Sequence, residues 1–112
     1  MLLKGQVAVV TGGGRGIGRA IAKKFAAAGA SVVVSARTEK EIEQVALEIQ
    51  GSGGKAASVA GDVAREADCE TIMREARNTF GAIHILVNNA GLLGPVAPLE
   101  QVSARSWDEV IA

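Results

Sequence analysis

Apolar and polar positions along the chain follow two alternating rhythms. Val7 to Val10 and Ser31 to Ser35 are short, nearly continuous apolar runs, as in strands buried on both faces of a parallel sheet. Between them Ile17, Ile21, Phe25 and Ala28 recur at helical spacing, with Lys23 and Lys24 on another face. Gly29 stands where a helix-ending glycine belongs. Thr38-Glu39-Lys40-Glu41 reads as a capping box, Thr38 as N-cap and Glu41 as its reciprocal partner. The helix it starts buries Ile42, Val45, Ala46 and Ile49, and Gly51 to Gly54 ends it in a surface turn. Lys55 to Ala60 predicts a third strand, weakened by the low β propensity of Ala56 and Ala57. A third helix runs from about Glu66 to Phe80, with Cys69, Ile72, Met73, Ala76 and Phe80 as its stripe and Gly81 closing it. Ile83 to Val87 predicts a fourth strand that leads straight into Asn88-Asn89-Ala90-Gly91.

Beyond it, Leu92 to Val102 contains Pro95 and Pro98 and predicts an irregular, exposed connection. Ser106 to Glu109 is a second capping box, yet the last residue, Ala112, follows within two turns. An isolated helix needs about a dozen residues to be even marginal, so the chain reads as cut short. Strands alternating with helices predict right-handed crossovers and a parallel sheet. The expected fold is α/β, a doubly wound, three-layer αβα arrangement of the Rossmann type, incomplete, with about four strands in the order 3-2-1-4. Ligands bind such sheets at the switch point, here between strands 1 and 4. The loops that meet there are Thr11 to Gly18 and Asn88 to Gly91. The fourth strand is left as an apolar edge, which promotes self-association.

Composition narrows the class. At 112 residues, 48% of them hydrophobic, the chain is one small domain with enough apolar side chains for a packed core. Zero formal net charge and no basic stripe give no reason to expect nucleic acid or an anionic membrane as partner. No apolar run reaches membrane-spanning length, and Met1-Leu2-Leu3-Lys4-Gly5 gives no reason to expect a secretory leader. A single cysteine excludes an intrachain disulfide, and no metal cluster is evident. The chain therefore reads as soluble and cytoplasmic. His84 is expected to be structural or superficial, Cys69 a small core residue, and Trp107 a packing residue.

The first loop carries the chemistry. Thr11-Gly12-Gly13-Gly14-Arg15-Gly16-Ile17-Gly18 runs from a strand into a helix start, where unpaired N–H groups and the helix dipole attract an anion. A plain glycine-rich connection is the alternative for this loop taken alone. Its spacing is G-x-x-x-G-x-G rather than G-x-G-x-x-G, and Arg19-Ala20 after Gly18 excludes a nucleoside-triphosphatase phosphate loop, which needs Lys then Ser or Thr.

Three motifs in order, Thr-Gly-x-x-x-Gly-x-Gly, Asp62-Val63 after the third strand and Asn88-Asn89-Ala90-Gly91 after the fourth, resemble the short-chain dehydrogenase/reductase family. The resemblance spans the whole chain but only the N-terminal half of the family's domain. It implies that Gly12, Arg15, Gly16, Ile17 and Gly18 line a dinucleotide. It also implies that Asp62 accepts the adenine amino group, with Val63 beside the ring. Asn88 and Asn89 would stabilise the sheet and, with Ala90 and Gly91, the cofactor pocket. Taken singly, Asp62 is a turn or cap residue and the asparagines are turn residues.

Charge bears on the choice of cofactor. An NAD-selecting fold puts Asp or Glu at the end of the second strand, to bond the ribose hydroxyls. Here Ala36 takes that place and Arg37 follows. A carboxylate repels a 2′-phosphate, whereas a guanidinium binds one bidentately. Arg15 offers a second positive charge and Ser35 a hydroxyl. A single arginine is more often a solvated surface residue, but this pair favours NADP(H) over NAD(H).

In the family, a Tyr-x-x-x-Lys pair and a Ser do the chemistry with a carbonyl or alcohol substrate. This sequence contains no tyrosine, so no catalytic residue is assigned. The expectation is the cofactor-binding portion of an NADP(H)-dependent oxidoreductase, inactive as an isolated chain. A stand-alone, non-catalytic dinucleotide-binding or scaffolding module is the alternative, and a nucleotide-binding methyltransferase a more distant one. Family members are commonly dimers or tetramers built on the fourth and fifth helices, so a homo-oligomer stays open for the complete protein.

Overall fold

A computed structural model describes residues 2–89. Its elements in chain order are β1 (Val7–Thr11), α1 (Gly16–Ala27), β2 (Ser31–Ala36), α2 (Glu39–Gly51), β3 (Lys55–Ala60), α3 (Glu66–Phe80) and β4 (Ile85–Asn88). The four strands form one parallel sheet in the order β3-β2-β1-β4, the doubly wound order expected from the alternation. The predicted connection 92–102, the capping box at 106–109 and Trp107 lie outside the described residues. No helix among the described residues is long and apolar enough to cross a membrane.

Strand alternation divides the core between the two faces of the sheet. Val10, Val32 and Val34 pack against Ala22 and Ala26 of α1 and Ile42, Val45, Ala46 and Ile49 of α2. On the other face Val9 and Val33 meet Cys69, Ile72, Met73 and Ala76 of α3. These five valines of β1 and β2 are fully buried, and each such burial contributes about 1.5–3 kcal/mol. Cys69 is therefore a core residue, as expected, and its thiol donates to the Val63 carbonyl at 3.1 Å.

Three local expectations change. The buried face of α1 is Gly18, Ala22 and Ala26, not the larger side chains. Ile21 and Phe25 only flank it, and Ile17 is 72% exposed. Small residues there let the helix lie close to the sheet, which a row of branched side chains would prevent. Thr38 is the N-cap of α2, as expected, but no side-chain hydrogen bond closes the predicted box. The Glu41 side chain turns instead toward the glycine loop.

The fourth strand starts at Ile85 rather than Ile83 because a side chain replaces its first ladder bond. The Val7 N–H donates to His84 Nδ1 at 2.9 Å, and the His84 N–H donates to the Val7 carbonyl at 2.8 Å. His84 is thus structural. Among the described residues β4 bonds only to β1.

Candidate functional site

Parallel register brings the ends of three strands together. Thr11 stands opposite Ser35 on one side and Asn88 on the other. The Thr11 hydroxyl lies 3.3 Å from the Val87 carbonyl and 3.1 Å from Asn88 Oδ1, either of which can accept its proton. The next residues also join: Asn89 Nδ2 donates to the Gly12 carbonyl at 3.2 Å. The two motif loops, 77 positions apart in sequence, are therefore hydrogen-bonded to each other. Gly13 N–H donates to the Ser35 carbonyl at 3.1 Å, tying the first loop to β2 as well.

Glycine is needed here for two different reasons. Gly16 has φ +60°, a left-handed backbone that most side chains disfavour. Gly18 is buried on the sheet side of α1, where a Cβ would overlap the Gly12 carbonyl and lie 2.8 Å from Asn89 Nδ2.

The start of α1 is open to an anion. Arg15 is its N-cap with no side-chain capping bond, and its first turn carries no acidic residue. By contrast, α2 has Glu39 and Glu41 in its first turn and α3 has Glu66 and Asp68. An anion at the bare end of α1 would complement the helix dipole without competing with an acidic side chain of that turn. The bare turn suits a pyrophosphate, and Gly16 beside it leaves open space where a Cβ would stand.

The remaining sequence candidates lie at the N-cap of α1 and at or just beyond the ends of β2 and β3. Arg15 and Arg37 are exposed, and Arg37 has no ion pair among the described residues. Ser35 is fully buried, on the same face of β2 as Val33, and its Oγ has no hydrogen-bond partner among the described residues. Asp62 begins the turn after β3: its Oδ1 accepts from the Ala64 N–H at 2.9 Å, and its own N–H donates to Asp68 Oδ2 at 2.8 Å. Val63 packs against the α3 side of the core. Ala90 and Gly91 lie outside the described residues.

Two contributors have roles that the sequence motifs do not show. Thr11 fastens β1 to β4, and its signal was a polar residue ending an apolar strand, opposite Asn88 once the strand order is known. Asp68 holds the Asp62 turn. Its place in the first turn of α3 gives no sequence sign of that role.

Known proteins share this arrangement. The sequence profile of the family described as short chain dehydrogenase matches residues 6–112. A cyclohexanol dehydrogenase of Acinetobacter sp. (strain SE19) is 42% identical over 106 residues, covering 95% of this chain and 42% of that protein. A hydroxysteroid dehydrogenase from Escherichia coli superposes with TM-score 0.74 at 40% identity, over 75% of this chain and 36% of that one. The apo form of a Caenorhabditis elegans glucose dehydrogenase gives 0.76 at 35% identity, over 80% and 39%. A 7α-hydroxysteroid dehydrogenase complexed with NADH and 7-oxo glycochenodeoxycholic acid gives 0.76 at 42% identity, over 77% and 34%. The chain thus spans about two fifths of the length of its curated relative. With its profile, its strand order and its joined loops in agreement, the chain belongs to the short-chain dehydrogenase family.

Proposed function

We propose that this chain is the cofactor-binding portion of an NADP(H)-dependent oxidoreductase that interconverts a carbonyl and an alcohol. The observation that carries the reading is the bare first turn of α1, beside a glycine loop hydrogen-bonded to Asn89. The backbone of Gly12 to Gly18 would hold the pyrophosphate, Asp62 and Val63 the adenine, and Asn88 to Gly91 the wall of the pocket. When bound, the dinucleotide supplies hydride transfer at its nicotinamide. The residues of this chain bind and orient it. The sequence has no tyrosine, so the family's proton-exchanging group is not among them.

Selection of the 2′-phosphate falls to Arg37 and Arg15. The solved relative that holds NADH belongs to the same family, so the choice rests on local charge. Ala36 leaves no carboxylate at the end of β2, and exposed Arg37 is available for a charge-assisted hydrogen bond. Arg37→Asp is expected to weaken NADPH binding about 10- to 100-fold while changing NADH binding little. Fluorescence titration of both cofactors checks this, and an unchanged preference would sink the assignment.

A further inference from the structure

The outer wall of the glycine loop carries two carboxylates, and they are used differently. Glu48 is committed to stability: it takes Arg19 Nη2 at 2.6 Å and Nε at 3.1 Å, with Lys23 at 3.7 Å. Glu41 is not committed in that way. The capping bond that its spacing from Thr38 predicts is not made. Instead its stem presses on the loop, where a Cβ on Gly14 would be 2.9 Å from the Glu41 Cβ. Its Oε2 lies 3.9 Å from Arg15 Nε. The Glu41 side chain is 33% exposed, and Arg15, at 85%, extends into solvent beside it.

We propose that Glu41 is a specificity-setting residue: an internal counter-ion of Arg15 that a 2′-phosphate must displace. The inference rests on the NADP(H) reading of the site, in which Arg15 is one of the two phosphate-binding arginines. A 2′-phosphate draws the Arg15 guanidinium away from Glu41 and leaves a carboxylate close to a dianion, and both effects oppose binding. A nucleotide with a free 2′-hydroxyl disturbs neither charge. Glu41 therefore narrows the preference for the phosphorylated cofactor through its charge alone. The pair is largely exposed, so its effect is modest, about two- to fivefold.

The test uses the full 112-residue chain and two probes, 2′,5′-ADP and 5′-AMP, titrated calorimetrically against the parent, Glu41→Gln, Arg15→Gln and the double variant. The expected result is an about two- to fivefold tighter 2′,5′-ADP affinity in Glu41→Gln, with 5′-AMP unchanged. The gain should disappear in the Arg15→Gln background, as a double-mutant cycle requires of a direct pair. It should also shrink near 1 M salt, where the screening length is about 3 Å. Equal changes for both probes, or a gain that persists without Arg15, would overturn the proposal. A parent that prefers 2′,5′-ADP while Glu41→Gln changes nothing overturns this inference and leaves the NADP(H) reading intact. No 2′-phosphate preference in either protein overturns both.

Discussion

Gly18 shows what a single position can determine. Its missing side chain leaves room for the Gly12 carbonyl, which in turn accepts the Asn89 amide. Gly18→Ala forces backbone apart, so a loss of about 1–3 kcal/mol is expected from overpacking, together with weaker NADPH binding. Gly51, with open space where its Cβ would be, supplies the control. Gly51→Ala, at the last residue of α2, should leave the urea midpoint unchanged or raise it slightly, and equal losses in the two variants would refute the packing account. The need for glycine was legible in the spacing. What each glycine touches was not, because spacing carries no distances. Glu41 illustrates the same limit: Thr-x-x-Glu identified a helix start correctly, but nothing in the four residues shows which way the glutamate turns.

Among elements, α1 and α2 are joined by a charge cluster as well as by the sheet beneath them. The Arg19 hydrogen bond, aided by Lys23, holds the Glu48 carboxyl below its ordinary range, although partial burial opposes this. A lowered folded value means that the stabilisation is present above the unfolded carboxylate range and disappears as pH falls through the folded value. Glu48→Gln should therefore be less stable than the parent at neutral pH. The gap should close on acidification below the ordinary carboxylate range, as read from denaturant midpoints at several pH values. A gap that stays constant across that range would assign the loss to packing. Element types and order were legible because period-2 and period-3.6 patterns are distinct over these lengths. The buried face of α1 was misjudged because Gly18, Ala22 and Ala26 carry little hydrophobic signal, although small size is what the contact needs. The start of β4 was displaced by His84, whose ring takes a role normally filled by backbone.

At the scale of the whole molecule, the order β3-β2-β1-β4 followed from alternation and crossover handedness, which leave few other arrangements. It brings the two motif loops to one end of the sheet, and the sequence supplies no tyrosine. The 112-residue chain is accordingly expected to bind NADPH without oxidising it in the presence of a ketone. Sustained loss of absorbance at the reduced-nicotinamide band would contradict that expectation. The Asn89–Gly12 bond has a further consequence. Like the Thr11–Asn88 bond, it closes an interval of 77 positions, and contacts of that kind form late because their loop entropy must be met first. A nucleotide gripping the first loop would select molecules in which β4 has already docked. Occupancy and closure would then share one equilibrium, with each tenfold excess of ligand over its dissociation constant adding about 1.4 kcal/mol to both.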